Sequence, residues 1–541
     1  MKTKPRAVSR TWSSALSLWA QAALSGLLLA AAFPPVDWKW TVWFGLSPLL
    51  WAVKRAESQR QAFGLAYLAG LVFFLFNLHP LVSAHSWTGW ASESTAEFAR
   101  RMTRQWWFMQ GIWLGFVVWC AFWWGLWAAF TKRVFSARPH LAWLAIPSGW
   151  ILFTEWARSR TTFGFAWGFL GNATADLSLI RQWASLGGVW LLSAIVVLWN
   201  LGLIFVFSGG LKNNWRKALL SLIGAMLAVL AVGYLLLQQS PPLSAPIRVA
   251  VLQRFKPSYV TDDFAENGFD RSYLPMIQEA LHEKAQLLVL PESVALGAVS
   301  LDGTSSKAKP SQWQHPRASW DWQIESFLRN SPAALIVGLD TVEKGEDHNT
   351  LVAWNAEGPL GWYHKRHRVP FAEYHPWPWP GWAIRGKSGY AAGKGAQLIS
   401  WNGLALGGFI CQEVLFPSAA RESVRDGATL LVSGGNDGVF SDYAVARVHA
   451  DAAQIRAVET GRFLVRAMKT GISDIIDSKG FELARSRSSD PVILFGVVRA
   501  CRQKTAYVRF GDWVVVLSAI AFLGLMLVCR GKGPGRQKTA S

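Results

Sequence analysis

The feature that most constrains this chain is a series of long apolar runs in its first 237 residues, separated by short polar gaps. A helix needs roughly 20 apolar residues to cross a hydrocarbon core about 30 Å thick. A cleaved signal peptide is the alternative for the first run, but six further runs, and no polar mature domain, follow it. The runs lie at about 12–33, 40–53, 61–82, 106–130, 140–157, 187–208 and 217–237, with an eighth at 512–529. The pattern predicts a bundle of eight transmembrane helices.

The distribution of charge predicts the orientation of these helices. A formal net charge of +20 raises the question of a nucleic-acid partner, but basic residues also concentrate in the cytoplasmic loops of membrane proteins. With a cytoplasmic N-terminus, the cytoplasmic segments hold seventeen basic residues and one acidic residue, Glu57, which accounts for +16 of the charge. No nucleic-acid partner is therefore needed. Both termini are predicted to be cytoplasmic, and the long polar segment is predicted to lie outside the cytoplasm.

This topology divides the chain into three parts: a seven-helix transmembrane domain at 1–237, a polar extracytoplasmic domain at 238–511, and an eighth helix with a basic tail at 512–541. The four cysteines include no CxxC pair, and the histidines show no clustering at metal-ligand spacing. This spacing argues against a disulfide framework and against a structural zinc site. We therefore expect no metal and no cofactor.

The polar segment between the seventh and eighth runs has the pattern of an α/β domain. Short runs that are apolar through most of their length alternate with helical stretches at 272–284 and 442–461, as in a sheet covered by helices. About 260 residues are within the size range of one domain. The predicted strands are 247–253, 285–293, 334–340, 350–355, 404–413 and 428–437.

Three residues near the ends of predicted strands can do chemistry together. Glu292 follows a buried run, Lys365 lies in a dense polar stretch, and Cys411 closes an apolar run that a helical segment follows. A helix N-terminus at this position would lower the pKa of the thiol. The carboxylate would take the thiol proton, the thiolate would attack an acyl carbon, and the ammonium would stabilise the oxyanion. Taken singly, each residue has a structural explanation: packing for the cysteine, a cap for the glutamate and a solvated face for the lysine.

Four segments around these residues resemble the carbon-nitrogen hydrolase (nitrilase) superfamily, and the membrane half resembles its membrane-bound apolipoprotein N-acyltransferase family. The catalytic-domain motifs are LPES (290–293), YHKRHRVPFAEY (363–374), FICQEVLFP (409–417) and GGND (434–437). The membrane motifs are AAFPP (31–35), EWARS (155–159), GFAWGFLGN (164–172) and GGVWLLS (187–193). The resemblance implies an extracytoplasmic domain with the nitrilase-like αββα sandwich.

The resemblance also implies the reaction. A fatty acyl chain would pass from a membrane phospholipid to Cys411 as a thioester, and then to the α-amino group of the N-terminal lipidated cysteine of an apolipoprotein. Glu292 would be the general base and Lys365 the oxyanion-stabilising residue. The enzyme would be a monomer of the bacterial inner membrane, with its catalytic domain in the periplasm.

Four further residues are candidates for orienting the lysine or the substrate. They are Glu373, Gln412, Glu413 and Asn436. The alternative for Glu373 is an exposed ion pair with a basic residue of the 366–368 segment. The aromatic loop at 375–382, HPWPWPGW, is predicted to be a lid at the bilayer surface, with a plain surface loop as the alternative.

Three positions depart from the pattern of the family and keep other functions open. Gln412 replaces a usual tyrosine, Val439 a tryptophan and Lys469 an asparagine. A divergent acyltransferase or amidase of the same superfamily, acting on another acceptor, is therefore an alternative. A non-catalytic transporter or assembly protein is a third, although the predicted spans hold few charges besides Glu155.

Overall fold

The computed structural model describes the chain from residue 8 to residue 529 with several internal gaps. The gaps are 84–94, 162–163, 208–214, 255–272, 295–298, 302–325, 371, 375–388, 439, 441–442 and 488–489. The predicted aromatic lid at 375–382, the departure at Val439 and the basic tail after residue 529 lie outside the described residues.

Apolar helices form the first part of the chain. They are Val8–Ala31 (α1), Ser47–Arg55 (α2), Gln59–Asn77 (α3), Thr95–Ala137 (α4), Ala142–Gly149 (α5), Ala184–Phe207 (α6) and Trp215–Gln238 (α7). Among the described residues, four stretches are long and apolar enough to cross a membrane: α3, α6, α7 and Trp106–Ala137 within α4. They coincide with the third, fourth, sixth and seventh predicted runs. The count of eight spans stays a prediction.

The second predicted run, 40–53, is broken where one continuous helix was expected. Its helical turns stop and restart around Leu46, whose backbone N–H donates to Asn200 Oδ1 of α6 at 3.0 Å. The Ser47 hydroxyl donates to the same oxygen at 3.0 Å. Because the Asn200 amide supplies the hydrogen bonds that a continuous helix would make itself, the break is stable although it is buried.

Among the described residues, the part of the chain between the seventh and eighth predicted runs contains thirteen strands in two sheets. The strands of the first sheet are Ile247–Gln253 (β1), Leu287–Val289 (β2), Val299–Ser300 (β3), Ala334–Glu343 (β4), Glu346–Asn355 (β5), Gly358–His364 (β6) and Val492–Val498 (β13). Those of the second are Leu398–Trp401 (β7), Leu404–Ile410 (β8), Leu430–Gly435 (β9), Leu464–Met468 (β10), Asp474–Ile476 (β11) and Glu482–Arg485 (β12). The sheet orders are β13-β1-β2-β4-β5-β6, with β3 on β4, and β12-β11-β10-β9-β8-β7.

Helices also lie in this part and at the C-terminal end. Those with both ends among the described residues include Tyr273–His282 (α8), Pro417–Arg425 (α9), Tyr443–Thr460 (α10), Ala506–Phe510 (α11) and Trp513–Val528 (α12). One apolar core joins the inner faces of the two sheets, and a second lies between the first sheet and α8. A third core joins α9 and α10 to the membrane helices. The order of layers is therefore helix, sheet, sheet, helix, as expected for the αββα sandwich.

The strand directions explain how distant residues come together. Strands β2 and β4 are parallel, and β6 runs in the same direction because two antiparallel pairings separate it from β4. The segments after β2 and β6 therefore leave the sheet at one edge. Gly338 of β4 allows the first of these segments to pass closely, since a Cβ at this position would lie 2.6 Å from Glu292 Cα.

Ion pairs join helix α10 of the catalytic part to the membrane part. Lys39 Nζ, in the segment after α1, lies 2.6 Å from Asp176 Oδ2 and 2.9 Å from Asp451 Oδ2 of α10. Arg447 of the same helix lies 3.0 Å from Asp37 Oδ2. We call these five residues the docking network. It links two segments of the membrane part to one face of α10.

We expect Lys39→Met to lower the thermal stability of the full-length protein in detergent micelles. The substitution leaves the carboxylate of Asp451, which is 6% exposed, without its closest cation, and removing one partner of a buried ion pair costs about 3–5 kcal/mol. The measurement is the midpoint of thermal unfolding, with Lys284→Met, an exposed lysine after α8, as the control. Equal midpoints for the two variants would contradict a stabilising role for the network.

Candidate active site

The predicted lysine lies between two carboxylates in the interior of the protein. Lys365 directly follows β6 and is 2% exposed; its Nζ lies 2.7 Å from Glu373 Oε1 and 3.7 Å from Glu292 Oε1. Glu373 is itself buried, so the alternative of an exposed ion pair with the 366–368 segment is wrong. Its other oxygen, Oε2, accepts the backbone N–H of Val369 at 2.8 Å. Glu373 therefore holds both the lysine side chain and the loop that follows it.

The sequence offered little signal for a fourth member of this cluster, Asn349. Its Nδ2 donates to Glu292 Oε1 and, at 3.3 Å, to Glu373 Oε1. Its carbonyl oxygen accepts the backbone N–H of Lys365 at 2.8 Å. Asn349 lies on β5, one position before the strand predicted at 350–355, where it looked like an ordinary polar residue at a strand end. Its amide keeps the two carboxylates side by side.

Cys411 lies at a sharp turn between β8 and a short 3₁₀ helix, Cys411–Leu415. Its φ of +54° is in the left-handed region, which is uncommon for a residue other than glycine and is often found at functional sites. The charges of both Glu292 and Lys365 act on its sulfur. The structure thus brings together all three residues proposed for the chemistry, from two different sheets.

The pKa of Cys411 differs from the expectation that a helix N-terminus would lower it. Burial and then the charge of Glu292 raise the pKa of Cys411, so the resting group is the thiol. The expected lowering is wrong because the helix is a single 3₁₀ turn and carboxylates face the sulfur. Burial also raises the pKa of Glu292. Burial alone would lower the pKa of Lys365, but the charges of Glu373 and Glu292 outweigh it and raise this pKa.

Glu413, fully buried two residues after the cysteine, joins the two loops that carry the reactive residues. Its Oε2 accepts the backbone N–H of Ile410 at 2.8 Å, and its Oε1 accepts those of Arg366 and His367 at 2.8 and 2.9 Å. The Tyr363 hydroxyl donates to the same carboxylate at 2.9 Å. Glu413 therefore contacts the backbone after Lys365 and the backbone before Cys411, and its role in orienting the lysine stays a prediction.

The remaining predicted residues lie around this centre. Gln412 Nε2 donates to the carbonyl of His367 at 3.4 Å, while Asn436 Oδ1 accepts the N–H of Gly438 at 3.0 Å and closes the turn after β9. Lys469, at one of the positions that depart from the family pattern, is buried and donates from Nζ to the carbonyl of Ser293 at 2.9 Å. A second ammonium group thus lies next to the segment that carries Glu292.

A buried aspartate and histidine behind the cysteine were not predicted as a pair. Asp437 Oδ1 lies 2.8 Å from His449 Nδ1, and the negative charge of Asp437 adds to the raised pKa values of both Glu292 and Cys411. The imidazole of His449 lies edge-on to Trp167 of the membrane part, with ring centroids 6.1 Å apart. These residues come from separate segments, and only the folded chain places them together.

Two family models match the two halves of the chain. A model of the apolipoprotein N-acyltransferase N-terminal domain matches residues 25–202, and a model of the carbon-nitrogen hydrolase domain matches residues 248–493. The first match covers most of the membrane helices, and the second covers the strands of the two sheets apart from Ile247 of β1 and residues 494–498 of β13. The matches therefore follow the same division as the fold.

Proteins with the name apolipoprotein N-acyltransferase are similar to this chain over nearly its whole length. The one from Gloeobacter violaceus is 28% identical over 528 residues, covering 95% of this chain and 94% of its own. The one from Geobacter metallireducens is 27% identical, covering 93% and 94%. The one from Methylococcus capsulatus is 28% identical and covers 72% and 74%.

Two solved structures are similar to about half of this chain. A CN-hydrolase superfamily protein from Xanthomonas campestris is 19% identical, covering 51% of this chain and 97% of its own, with a TM-score of 0.35. An amidase from Nesterenkonia is 20% identical, with coverages of 51% and 98% and a TM-score of 0.36. The family assignment depends on the full-length relatives and the two domain models, which agree. This chain belongs to the apolipoprotein N-acyltransferase family, and its second half is a carbon-nitrogen hydrolase domain.

Proposed function

We propose that this enzyme transfers a fatty acyl chain from a membrane phospholipid, through a thioester on Cys411, to the α-amino group of the N-terminal lipidated cysteine of an apolipoprotein. The observation that carries the proposal is the convergence of Glu292, Lys365 and Cys411 at one buried centre. No cofactor is needed, because a base, a nucleophile and a cation for the oxyanion are all side chains of this chain.

In the first half-reaction, Glu292 accepts the thiol proton as Cys411 Sγ attacks the carbonyl carbon of a phospholipid ester. The C–S bond forms and the carbonyl electrons move to oxygen, where the ammonium of Lys365 balances the charge. The tetrahedral intermediate then expels the lysophospholipid alkoxide, which takes the proton from Glu292. The raised pKa of Glu292 suits the first proton transfer, since it makes the carboxylate a stronger base toward the thiol.

In the second half-reaction, the amine of the lipoprotein attacks the thioester carbonyl carbon. Glu292 accepts a proton from the amine, the C–N bond forms, and the C–S bond breaks. The thiolate that leaves takes the proton from Glu292 and regenerates the thiol. Lys365 keeps its proton throughout, because its two carboxylate neighbours raise its pKa.

We also propose that the catalytic domain, residues 238–511, lies on the periplasmic face of the inner membrane and that both termini are cytoplasmic. The basic residues of the predicted cytoplasmic segments support this orientation. Both substrates are then anchored in the same membrane as the enzyme, which raises their effective concentration at the site. We expect the enzyme to act as a monomer.

One observation favours a second candidate, an acyltransferase or amidase with another acceptor. Lys469 places an additional ammonium group beside the segment of Glu292, at a position that departs from the family pattern. A cation here would disfavour a positively charged amine and favour an anionic or neutral acceptor. The identity of the acceptor is therefore the part of the proposal to test in living cells.

The thioester predicts a chemical signature on the cysteine. Purified enzyme incubated with phospholipid vesicles should form an acyl adduct on Cys411 that hydroxylamine removes and that mass spectrometry detects. We expect no thioester in Cys411→Ser and rates lowered by about 10²–10⁴ in Glu292→Gln and about 10²–10³ in Lys365→Met. Cys501→Ser, which changes a buried cysteine near the end of the catalytic domain, is the control. An adduct in Cys411→Ala would contradict the proposal.

The ionisation of Glu292 predicts the pH dependence of thiol reactivity. Its raised pKa means that the carboxylate becomes protonated at a higher pH than an ordinary glutamate, whose pKa is about 4.3. As the pH falls through this pKa, the base is lost and alkylation of Cys411 by iodoacetamide should slow. We expect this limb at a higher pH than that at which an ordinary glutamate titrates. The same limb in Glu292→Gln would show that another group causes it.

The proposed acceptor predicts a change in the lipoproteins of the host cell. Depletion of this enzyme should leave lipoproteins whose N-terminal cysteine carries a diacylglyceryl group but a free α-amino group, as measured by mass spectrometry of N-terminal peptides. Wild-type enzyme should restore the third acyl chain and Cys411→Ala should not. Normal triacylation after depletion, in cells with no second enzyme of this family, would favour the other acceptor.

A further inference from the structure

Behind the active site, the outer face of the first sheet carries a cluster of two histidines and a glutamate. Glu343 ends β4, His348 lies on β5 and His364 ends β6, so that three neighbouring strands supply one residue each. One ligand atom from each of the three lies within 4.8 Å of the other two. The imidazole rings are stacked, with centroids 4.1 Å apart, and His364 Nε2 lies 2.9 Å from Glu343 Oε2.

We propose that Glu343, His348 and His364 bind a divalent transition-metal ion, for which Zn²⁺ is the best match. Two imidazoles and one carboxylate, with a remaining position for water, are a known ligand set for zinc. Spacing along the chain gave no sign of such a site, and none was expected. The residues are adjacent because strands β4, β5 and β6 pair, which a search for neighbouring cysteines and histidines in the sequence does not detect.

Nδ1 of each histidine takes part in a hydrogen bond, so Nε2 of each ring is the atom that would bind a metal. His348 Nδ1 lies 3.2 Å from the carbonyl of Ala391, an acceptor only, so this nitrogen carries the proton and Nε2 of the neutral ring carries a lone pair. His364 Nδ1 lies 2.7 Å from Thr350 Oγ1. Histidines that bind metals are commonly oriented by an oxygen that makes a hydrogen bond with the other ring nitrogen. An ion between His364 Nε2 and the Glu343 carboxylate would replace the proton that otherwise joins them.

Differences in burial give the ion a route to the site. The side chain of His364 is 3% exposed, whereas that of Glu343 is 26% exposed. The carboxylate can therefore meet the ion in solvent and carry it to the two histidines. Zinc bonds to nitrogen and oxygen are about 2.0–2.2 Å, which places ligand atoms roughly 3.3 Å apart in a tetrahedral site. Binding would draw the three ligand atoms, which lie within 4.8 Å of one another, closer together and would turn the stacked rings toward the ion.

A metal at this position would brace the strands that hold the active site. Asn349 follows His348 on β5, and Lys365 follows His364 at the end of β6. Because side chains alternate between the two faces of a strand, these neighbours point to the opposite face from the histidines. The ion would fix the spacing of β4, β5 and β6 from the outside, whatever the acyl acceptor is. The inference is therefore independent of the proposed reaction.

The test is metal binding by the full-length enzyme in detergent, with any affinity tag removed. The protein is stripped with a chelator, dialysed and titrated with Zn²⁺ by calorimetry and with Co²⁺ by visible absorption, which reports on the ligand field. We expect one equivalent to bind and the midpoint of thermal unfolding to rise when it does. Glu343→Gln and His348→Gln should each weaken binding at least about tenfold.

His282→Gln is the matched control, because His282 is an exposed histidine at the end of α8, with its side chain 88% exposed. It should bind the ion as the unchanged enzyme does. A variant that no longer binds Zn²⁺ but unfolds at the same midpoint as the metal-free unchanged enzyme is folded. Its loss of binding then reflects the missing ligand. The absence of saturable binding in the unchanged enzyme would overturn the proposal. So would equal affinity in Glu343→Gln, His348→Gln and the control.

Discussion

The buried ammonium of Lys365 is the interaction on which the active site depends. A charge in the interior is tolerated only when partners surround it, and Glu373 and Glu292 provide them. Burial is the main cause of the raised pKa values of Glu292 and Cys411, and negative charge adds to it, from Glu373 on Glu292 and from Glu292 on Cys411. Burial and charge together thus set three protonation states: a lysine that keeps its proton, a neutral thiol, and a carboxyl group whose pKa lies above its usual value.

Much of the catalytic part was predictable because its signals are local. Apolar runs bounded by polar residues identified β1, β2, β4, β5, β8 and β9, and the reactive residues follow the ends of such runs. Strands β3, β6, β7 and β10–β13 were missed. The strands β3, β7 and β10–β12 have two to five residues and carry little periodicity, whereas β6 and β13 have seven residues each. Asn349 was missed for a different reason: its role is to bridge Glu292 and Glu373, and no pattern along the chain reveals a bridge between distant segments.

The distinction between signals within one segment and contacts between distant segments also applies to the pKa of Cys411 and to the membrane part. A helix after the cysteine was visible in the sequence, but the burial of the sulfur and the approach of Glu292 depend on how two sheets pack. In the membrane part, composition identified the long apolar helices, whereas the break near Leu46 depends on an amide from α6. Interactions within a segment could be inferred, and those between segments required the fold.

The Glu413 carboxylate has a consequence for how large substrates reach the cysteine. It binds the backbone before Cys411 and the backbone after Lys365, so these two segments can move only together. The proposed substrates, a phospholipid and a lipoprotein terminus, differ greatly in shape, yet their reacting atoms would have to meet the same geometry at Cys411. Adaptation to the two substrates would therefore fall to residues outside these two segments. Glu413 thus keeps the bond-making groups in one arrangement and leaves substrate selection to other residues.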